Sequence, residues 1–312
     1  MEGNQKMGLK KISLVIPVHN EEENIPIVYE EVKSILEKLF QMKGYNYEII
    51  FVNDGSTDNT LEILKNLKQK DPFLRILNMD RNRGQAAGLS AGFFYAKGDI
   101  IITMDGDGQN DPKYIKNLIE KIEEGYKVVT GYRIKRKEPF ITRVLPSKIA
   151  NWLISLVTGL KVKDNGCSLK AYLSSIPKKF QIPHGFHRFI PALFGVKNKD
   201  VFEIPIIDRP RLHGKTHYGL KRTFEVIRDL LTIRFILWDS IRYEKIFKYL
   251  FITFIALSFI GIISFIVLRK TLFFFLNSFL WILCICSYII WKNLKRFNLA
   301  QKEKVFKVEE IF

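Results

Sequence analysis

Residues 12–132 alternate between short apolar runs and longer segments with helical periodicity. The apolar runs are "ISLVIPV", "YEIIFVN", "LRILNM", "DIIITM" and "KVVTGY", and the helical segments lie near 23–40, 59–70, 85–97 and 113–124. Strands that are apolar almost throughout, with helices between them, are typical of a parallel sheet buried on both faces. The pattern therefore predicts an α/β fold with a mostly parallel sheet and helices on both faces.

Polar clusters directly follow four of the predicted strands. They are His19-Asn20-Glu21, Asn53-Asp54-Gly55-Ser56, Asp80-Arg81-Asn82-Arg83 and Asp105-Gly106-Asp107. Sheets of this kind bind ligands outside the carboxyl ends of their strands. Because the four clusters would converge on that edge, the sequence predicts a ligand site there.

Asp105 and Asp107 are the most informative pair in these clusters. Roughly one Asp-x-Asp arises by chance in a chain of this length, so the pair matters only because of its position at the sheet edge. Mg²⁺ and Mn²⁺ prefer oxygen ligands, and such ions commonly bridge carboxylates to substrate phosphates. Gln109 could supply a further oxygen. The alternative is an Asp-rich turn that caps the helix beginning near Pro112, but we expect Asp111 to be that cap.

Asp54 follows the second predicted strand, where its carboxylate could accept hydrogen bonds from a base or a ribose. Asp58 fits a helix cap, and Gly88 and Gly92 fit close packing of a helix on the sheet. The chain has no Walker-type Gly-x-x-x-x-Gly-Lys-Ser/Thr sequence. Phosphate binding would therefore depend on a metal and on arginine.

Two uncharged segments of 20 residues, 249–268 and 272–291, lie near the C-terminus and are separated by Arg269-Lys270-Thr271. A helix needs about 20 apolar residues to cross a bilayer. A pair of buried core helices is the alternative, but core helices rarely lack every charge over that length. We therefore predict a transmembrane hairpin over residues 248–291.

Basic residues are concentrated in the second part of the chain. Residues 1–120 contain 15 Lys and Arg against 18 Asp and Glu, whereas residues 121–312 contain 34 against 14. Such a surplus predicts an anionic partner, which could be nucleic acid, an anionic membrane surface or a phosphorylated substrate. The chain shows no recognisable nucleic-acid-binding module, so we expect no nucleic acid partner.

The cations that flank the hairpin outnumber the two in its turn, which predicts a cytoplasmic location for both chain ends. The polar N-terminus lacks the apolar core of a signal peptide, and three cysteines without metal-ligand spacing fit a reducing compartment. Residues 292–312 are expected to form a cytosolic basic tail. Residues 145–158 and 220–247 are predicted as amphipathic helices at the membrane interface, with ordinary packing on the sheet as the alternative.

Several motifs together resemble those of family-two glycosyltransferases with the GT-A fold that act on polyprenyl phosphates. They are "SLVIPVHNEEENI", "VNDGSTDNT", "RNRGQAAGLSAGFFYAKGDIIITMDGDGQNDP", "DNGCSLKAY", "HRFIPAL" and "EIPIIDRPRLHGKTHYGLKR". The relatives are dolichyl-phosphate mannose synthases and bacterial undecaprenyl-phosphate sugar transferases. The resemblance runs from about Ser13 to Arg222, and the predicted hairpin extends it.

The resemblance implies a cytosolic GT-A domain over residues 1–219, with a nucleotide-binding part at about 12–132 and an acceptor part at about 133–219. It implies inverting transfer of a sugar from a nucleotide-diphosphate sugar to undecaprenyl or dolichyl phosphate, with Mg²⁺ or Mn²⁺ as cofactor. It also implies an integral membrane protein, of a bacterial or archaeal inner membrane. A homo-oligomer is compatible with the sequence.

The resemblance also implies roles for residues at matching positions. The donor-side residues are Pro17, His19, Asn20, Glu21, Asp54, Asp105 and Gln109. The metal residues are Asp105, Asp107 and Gln109. The acceptor-phosphate residues are Arg133, Arg143 and Ser147. The predicted catalytic residues are Asp107, Asp164 and Arg211, of which Arg211 matches a residue that contacts phosphate near the metal. Asp164 could be a base, could orient the acceptor, or could be a turn residue.

Two departures from the family pattern stand out. Asn53-Asp54 replaces the frequent pair of aspartates, and Gly214-Lys215-Thr216-His217 replaces Gly-x-Ser-Lys. Lys215 or Lys221 could substitute for the missing lysine.

Two other functions remain to be weighed. A processive polysaccharide synthase is disfavoured because the chain lacks Gln-x-x-Arg-Trp and further predicted spans. A membrane-anchored binding protein without turnover is disfavoured by the intact carboxylate pair. Glucose, mannose, N-acetylglucosamine and a modified pentose are all compatible with the sequence, as are uridine and guanosine donors.

Overall fold

The computed structural model describes residues 11–134, 145–210, 220–268 and 271–312. These residues form two compact units. One contains the described residues up to 210 together with residues 304–312, and the other contains residues 220–303.

Eight strands form a single sheet in the first unit. In chain order they are β1 (Lys11–Val18), β2 (Asn46–Asn53), β3 (Leu74–Met79), β4 (Ile100–Thr103), β5 (Val128–Arg133), β6 (Lys170–Leu173), β7 (Val201–Ile206) and β8 (Val308–Ile311). Their order across the sheet is β7-β5-β6-β4-β1-β2-β3-β8. β6 and β8 pair antiparallel with their neighbours and the other pairs are parallel. The prediction of a mostly parallel sheet is therefore confirmed, and β1 to β5 are the five predicted strands.

Helices of the first unit lie between the strands. They are α1 (Ile25–Lys43), α2 (Thr60–Lys70), α3 (Gln85–Tyr95), α4 (Ile115–Glu123), α5 (Leu145–Thr158) and α6 (Ile190–Leu193). The proposed caps are present, since Asp111 accepts a hydrogen bond from the Lys113 N–H at 3.1 Å and Asp58 accepts one from the Thr60 N–H at 3.0 Å.

Successive residues of β1 pack on opposite faces of the sheet, as the strand period of two requires. Leu14 and Ile16 lie in the core cluster that contains the buried side of α1 and α4. Val15 faces α3, where a Cβ at Gly92 would lie 2.1 Å from the Val15 Cγ1. The absence of a side chain at Gly92 therefore allows α3 to approach the sheet closely, which confirms the packing predicted for this glycine.

The C-terminal residues do not form the basic tail predicted from the sequence. β8 instead pairs with β3, with Leu77 opposite Ile311 and Asn78 opposite Glu310. Phe306, which is 4% exposed, packs against Phe94 in α3 with ring centroids 5.7 Å apart. The charged residues around these apolar side chains obscured the strand pattern. The strand is stable here because it satisfies backbone groups that would otherwise be unpaired along β3.

The second unit contains α7 (Leu220–Leu268) and α8 (Thr271–Lys302). Asp239 breaks α7, because its φ of −166° and ψ of 92° are not helical. Its carboxylate accepts a hydrogen bond from the Arg242 N–H at 2.9 Å and so caps the part that follows. The rings of Phe235 and Phe247 lie 4.8 Å apart, which twelve residues of straight helix would not permit. The chain thus folds back at Asp239, whereas the sequence placed the boundary at residues 247–248.

A buried polar cluster joins the first part of α7 to the end of α8. Asp229 is 1% exposed and accepts hydrogen bonds from Asn293 Nδ2 at 3.1 Å and from an Arg296 guanidinium N–H at 3.2 Å. Arg228 pairs with the same carboxylate at 2.8 Å. This buried carboxylate is therefore well satisfied within the helical unit.

Both helices of this unit are long and apolar enough to cross a membrane, over Glu225–Val267 and Phe274–Lys302. Their large apolar side chains are mostly exposed; Ile263, Ile266 and Phe275 are each more than 60% exposed. A core helix of a soluble protein would bury such side chains. The alternative of two buried core helices therefore does not describe this unit.

Candidate active site

One edge of the sheet collects the polar clusters predicted from the sequence. β1 to β5 and β7 all end at this edge, and the oppositely directed β6 begins there. The loops after β1, β2 and β4 therefore meet residues that follow β5 and β7. This topology brings Arg133 and Asp208 into the same region as the carboxylate pair.

The loop after β1 is held by the loop after β2. Asn20 has a left-handed φ of 55°, and its side-chain oxygen accepts a hydrogen bond from the Thr57 N–H at 2.8 Å. The Glu21 N–H donates to the Thr60 Oγ1 at 2.9 Å, and the His19 Nδ1–H donates to the Asp54 carbonyl at 2.9 Å. The structure thus brings together His19, Asn20 and Glu21 with Asp54, next to Pro17 at the end of β1.

Asp54 is buried, and both of its carboxylate oxygens accept backbone hydrogen bonds. Oδ1 accepts from the Arg83 N–H at 2.7 Å and Oδ2 from the Gly84 N–H at 2.8 Å. Burial raises the pKa of Asp54 and exceeds the opposing effect of these two bonds. In the structure Asp54 therefore orders the loop after β3. Each oxygen has a second lone pair, so a contact to a nucleoside is still chemically open.

The carboxylate pair lies just past β4. Asp105 Oδ1 accepts a hydrogen bond from the Gln85 Nε2 at 2.8 Å, and Asp107 Oδ1 accepts one from the Gln109 N–H at 3.0 Å. Asp107 is buried, whereas Asp105 and Gln109 are partly exposed. Burial, together with the negative charge of Asp107, raises the pKa of Asp105 to about 6.

This mutual repulsion is what a bound divalent cation would relieve, so the two carboxylates fit Mg²⁺ or Mn²⁺. Among the described residues no group of three or more His, Cys, Asp and Glu side chains is arranged to hold a metal. Asp105 and Asp107 would therefore hold the ion together with non-carboxylate oxygens. The ion would supply positive charge beside the phosphates of a leaving group.

Asn110 and Asp208 belong to the same region, although the sequence analysis gave neither a role. Asn110 Oδ1 accepts hydrogen bonds from the Asp105 N–H at 3.1 Å and from the Ser168 Oγ at 2.7 Å. Asn110 Nδ2 donates to Asp208 Oδ1 at 3.3 Å. Burial raises the pKa of Asp208, although the nearby Arg133 opposes this effect. Asp208 follows an apolar run, "VFEIPII", so the strand-end rule applied to the first four clusters would have found it.

Arg133 is paired in the structure with Asp164. Its Nε and one terminal nitrogen donate to the two carboxylate oxygens at 2.7 and 2.9 Å, and its other terminal nitrogen lies 3.7 Å from Asp208 Oδ2. Burial alone would lower the pKa of Arg133, but its hydrogen bonds to Asp164 outweigh burial and raise it. The guanidinium therefore remains cationic. Asp164 is bound in an ion pair and is not simply a turn residue.

Ser147 lies in the first turns of α5. Asn151, one turn further along the same helix face, accepts a hydrogen bond from the Asn165 N–H at 3.1 Å. The face that carries Ser147 is therefore directed toward the loop that contains Asp164. Two other predicted site residues, Arg143 and Arg211, and the departure at 214–217 lie outside the described residues.

The sheet and its edge define an α/β protein with a ligand site at the carboxyl ends of parallel strands. The model of the family described as "Glycosyl transferase family 2" matches residues 13–187. The chain therefore belongs to glycosyl transferase family 2 and is a glycosyltransferase.

Two curated relatives share more than a third of their residues with the chain where they align. The dodecaprenyl-phosphate galacturonate synthase of Rhizobium johnstonii is 39% identical over 236 residues, which cover 74% of this chain and 69% of that protein. The undecaprenyl-phosphate 4-deoxy-4-formamido-L-arabinose transferase of Edwardsiella ictaluri is 36% identical over 223 residues, which cover 71% of this chain and 67% of that protein.

Solved structures confirm the predicted GT-A fold. Glucosyl-3-phosphoglycerate synthase from Mycobacterium tuberculosis, in complex with Mn²⁺, uridine diphosphate and glucosyl-3-phosphoglycerate, is similar with a TM-score of 0.55 and 18% identity. The match covers 72% of this chain and 78% of that one. At this identity the likeness concerns the fold.

Proposed function

We propose that this glycosyltransferase moves a sugar from a nucleotide-diphosphate sugar to a polyprenyl phosphate. The reaction proceeds with inversion at the anomeric carbon and gives a polyprenyl-monophosphate sugar and a nucleoside diphosphate. The observation that carries the proposal is the likeness to two relatives that are both named for polyprenyl phosphates, at 36–39% identity over more than seven-tenths of the chain.

The donor side is assigned to the loops after β1, β2 and β4. Pro17, His19, Asn20, Glu21 and Asp54 would hold the nucleoside. Asp105, Asp107 and Gln109 would hold Mg²⁺ or Mn²⁺ and the diphosphate. The raised pKa of Asp105 supports this assignment, because a cation would offset the repulsion from which part of the shift arises.

The acceptor side is assigned to Arg133, Arg143 and Ser147, with Arg211 placed near the donor phosphates. A phosphate monoester of a lipid is anionic at neutral pH, so its oxygen can attack the anomeric carbon without a strong general base. Positioning and charge stabilisation are then the main tasks of the protein. Because Asp164 is engaged by Arg133, we assign it to orientation of the acceptor-side arginine.

The lipid acceptor agrees with the exposed apolar helices of the second unit. We propose that these helices form a two-span hairpin in a bacterial or archaeal inner membrane, with the catalytic unit and both chain ends in the cytoplasm. The cations that flank the spans would lie against anionic lipid head groups. Reporter fusions at residues 1 and 312 test the orientation, because a periplasmic signal from either would contradict it.

A donor screen tests the transfer directly. The purified protein in detergent is incubated with undecaprenyl or dolichyl phosphate, Mg²⁺ or Mn²⁺, and radiolabelled nucleotide sugars in turn. We expect one donor to deliver label to the organic phase, and we expect the Asp107→Asn variant to deliver none.

The outcomes separate the competing functions. Nucleotide binding without transfer from any donor would indicate a binding protein, and label in a growing polymer would indicate a processive synthase. Either result would contradict the proposal.

A further inference from the structure

The loop that carries the carboxylate pair is fastened along its length to the end of β7. The Arg209 N–H donates to the Gln109 carbonyl at 2.8 Å, and the Arg209 guanidinium lies 3.0 Å from Asp111. Between these contacts, Asn110 Nδ2 donates to Asp208 Oδ1. Residues 109–111 and 208–209 therefore form one connected unit, which neither segment's sequence indicates alone.

Asn110 uses both ends of its amide in this unit. Its oxygen faces the Asp105 N–H and the Ser168 hydroxyl, and its NH₂ group faces Asp208. The amide is 4% exposed when the whole residue is considered. A buried amide with all these partners has a single favourable orientation, so Asn110 transmits the position of the Asp105 backbone to Asp208.

Asp208 in turn faces the acceptor side. Its Oδ2 lies 3.7 Å from a terminal nitrogen of Arg133, whose Nε and other terminal nitrogen are taken by Asp164. Asp208 and Asp164 thus flank the same guanidinium from two different strands' ends. Two fixed anions restrict an arginine more than one, because each holds a different nitrogen of the planar fork.

We propose that Asp208 is a positioning residue that ties the donor-side carboxylate loop, through Asn110, to the acceptor-side Arg133. The inference rests on the proposed function, since it takes Arg133 as a contact of the lipid phosphate. Asp208 itself touches neither substrate in this account. Its effect on the reaction is exerted through the orientation of Arg133.

The variant Asp208→Asn isolates the acceptor side of this link. The new amide keeps an oxygen for Asn110 but loses the charge that faces Arg133. We expect the KM for the lipid phosphate to rise about tenfold, the size of one charge-assisted hydrogen bond. The Kd for nucleoside diphosphate with Mg²⁺, measured calorimetrically, should stay within about twofold by the same division of contacts. Asp200→Asn is the matched control, because Asp200 lies just before β7 at its other end and pairs with Lys127 at 3.2 Å; it should change neither constant.

A double-mutant cycle tests whether Asp208 acts through Arg133. In an Arg133→Lys background, Asp208→Asn should raise the lipid KM by less than about twofold, because the fork that it orients is already gone. Equal effects in both backgrounds would overturn the inference. So would an unchanged lipid KM in the single variant, or a loss of nucleotide affinity as large as the loss for the lipid.

Thermal stabilisation by a short-chain polyprenyl phosphate in detergent reports acceptor binding without turnover. It should be weaker in Asp208→Asn than in the wild type and the Asp200→Asn control, while the melting temperature without ligand changes little. If the wild type binds this lipid but transfers no sugar, the proposed function fails and the positioning role stands. If the wild type transfers sugar and Asp208→Asn binds the lipid as well as the wild type does, the positioning role fails alone.

Discussion

Arg133 and Asp164 meet through two parallel hydrogen bonds of 2.7 and 2.9 Å, which join the end of β5 to the loop before β6. The Arg133 N–H adds a third contact to Asp164 at 3.3 Å. An arginine held in this way presents its remaining nitrogen in a defined direction. The arrangement suits recognition of a phosphate and leaves Asp164 a poor candidate for accepting a proton, because accepting one would break the pair.

Replacement of Asp164 by asparagine should therefore impair acceptor use without removing a catalytic base. We expect kcat divided by the lipid KM to fall about 10- to 100-fold, as for loss of a charge-assisted hydrogen bond. The pH dependence of the remaining activity should keep its wild-type shape. Steady-state kinetics between pH 5.5 and 9 measure this. Loss of the acidic limb in the variant would show instead that Asp164 is the base.

Metal binding should depend on the protonation of Asp105. Because the pKa of this carboxyl is raised to about 6, protons compete with the cation below that pH. We expect the Mn²⁺ affinity to fall by up to about tenfold per pH unit below 6 and to level off above it. Calorimetric titration with nucleoside diphosphate present measures the profile. Asp105→Asn should bind weakly at every pH, whereas a profile that rises toward acid would contradict the assignment.

Asp107→Asn tests the same site at neutral pH. The change removes one of the two carboxylates while preserving side-chain volume, so the fold should persist and transfer should stop. Circular dichroism and the transfer assay together check this. Near-normal turnover of the variant in the presence of EDTA would exclude a metal at Asp105 and Asp107.

Glu48 should stabilise the sheet in a pH-dependent manner. Burial would raise its pKa, but hydrogen bonds from Ser13, Lys97 and Arg75 outweigh burial and lower it. A lowered pKa means that the stabilisation is full above the unfolded value of about 4.3 and is lost as the pH falls through the folded value. Glu48→Gln should cost about 1–3 kcal/mol near pH 7.

Thermal unfolding of Glu48→Gln should show this cost as a lowered Tm that approaches the wild-type Tm at acid pH. The control is Glu62→Gln, because Glu62 is on the surface of α2, 68% exposed, and pairs with Lys65. It should change the Tm little at any pH. A Glu48→Gln deficit that grows toward acid would contradict the proposed sign.

Phe306 should contribute to the stability of the catalytic unit. Its ring is buried against Phe94 and Tyr95, so Phe306→Ala should cost about 3 kcal/mol or more. We expect a lower Tm and faster proteolysis after residue 303. Glu309→Ala, at an exposed position of β8, is the control. Unchanged stability in Phe306→Ala would mean that β8 does not hold the C-terminus on the sheet.

Local patterns sufficed to predict the strands and helices of the first half of the chain. Continuous apolar runs marked β1 to β5, and the spacing of Gly88 and Gly92 indicated a close helix–sheet contact. β8 was missed because a four-residue edge strand with Glu309 and Glu310 resembles a solvated tail. Its stability depends on β3, which is 229 residues away at the nearest paired positions, Met79 and Val308.

The site could be predicted where function followed a strand end and not where it depended on tertiary pairing. Asp105 and Asp107 were found from their position alone. The pairing of Arg133 with Asp164, 31 residues apart, and the contact of Asn110 with Asp208, 98 residues apart, were not visible in the sequence. Such contacts arise from the antiparallel insertion of β6 between β4 and β5, and no local periodicity reports the order of strands.

The most direct test of the account is the identity of both products made by the wild-type protein. Mass spectrometry of the lipid and chromatography of the nucleotide are applied after incubation with polyprenyl phosphate and the donor found in the screen. The account predicts one sugar linked to the lipid through a single phosphate, with an equal amount of nucleoside diphosphate released. A lipid diphosphate sugar with nucleoside monophosphate, or a nucleoside diphosphate without a glycosylated lipid, would contradict it.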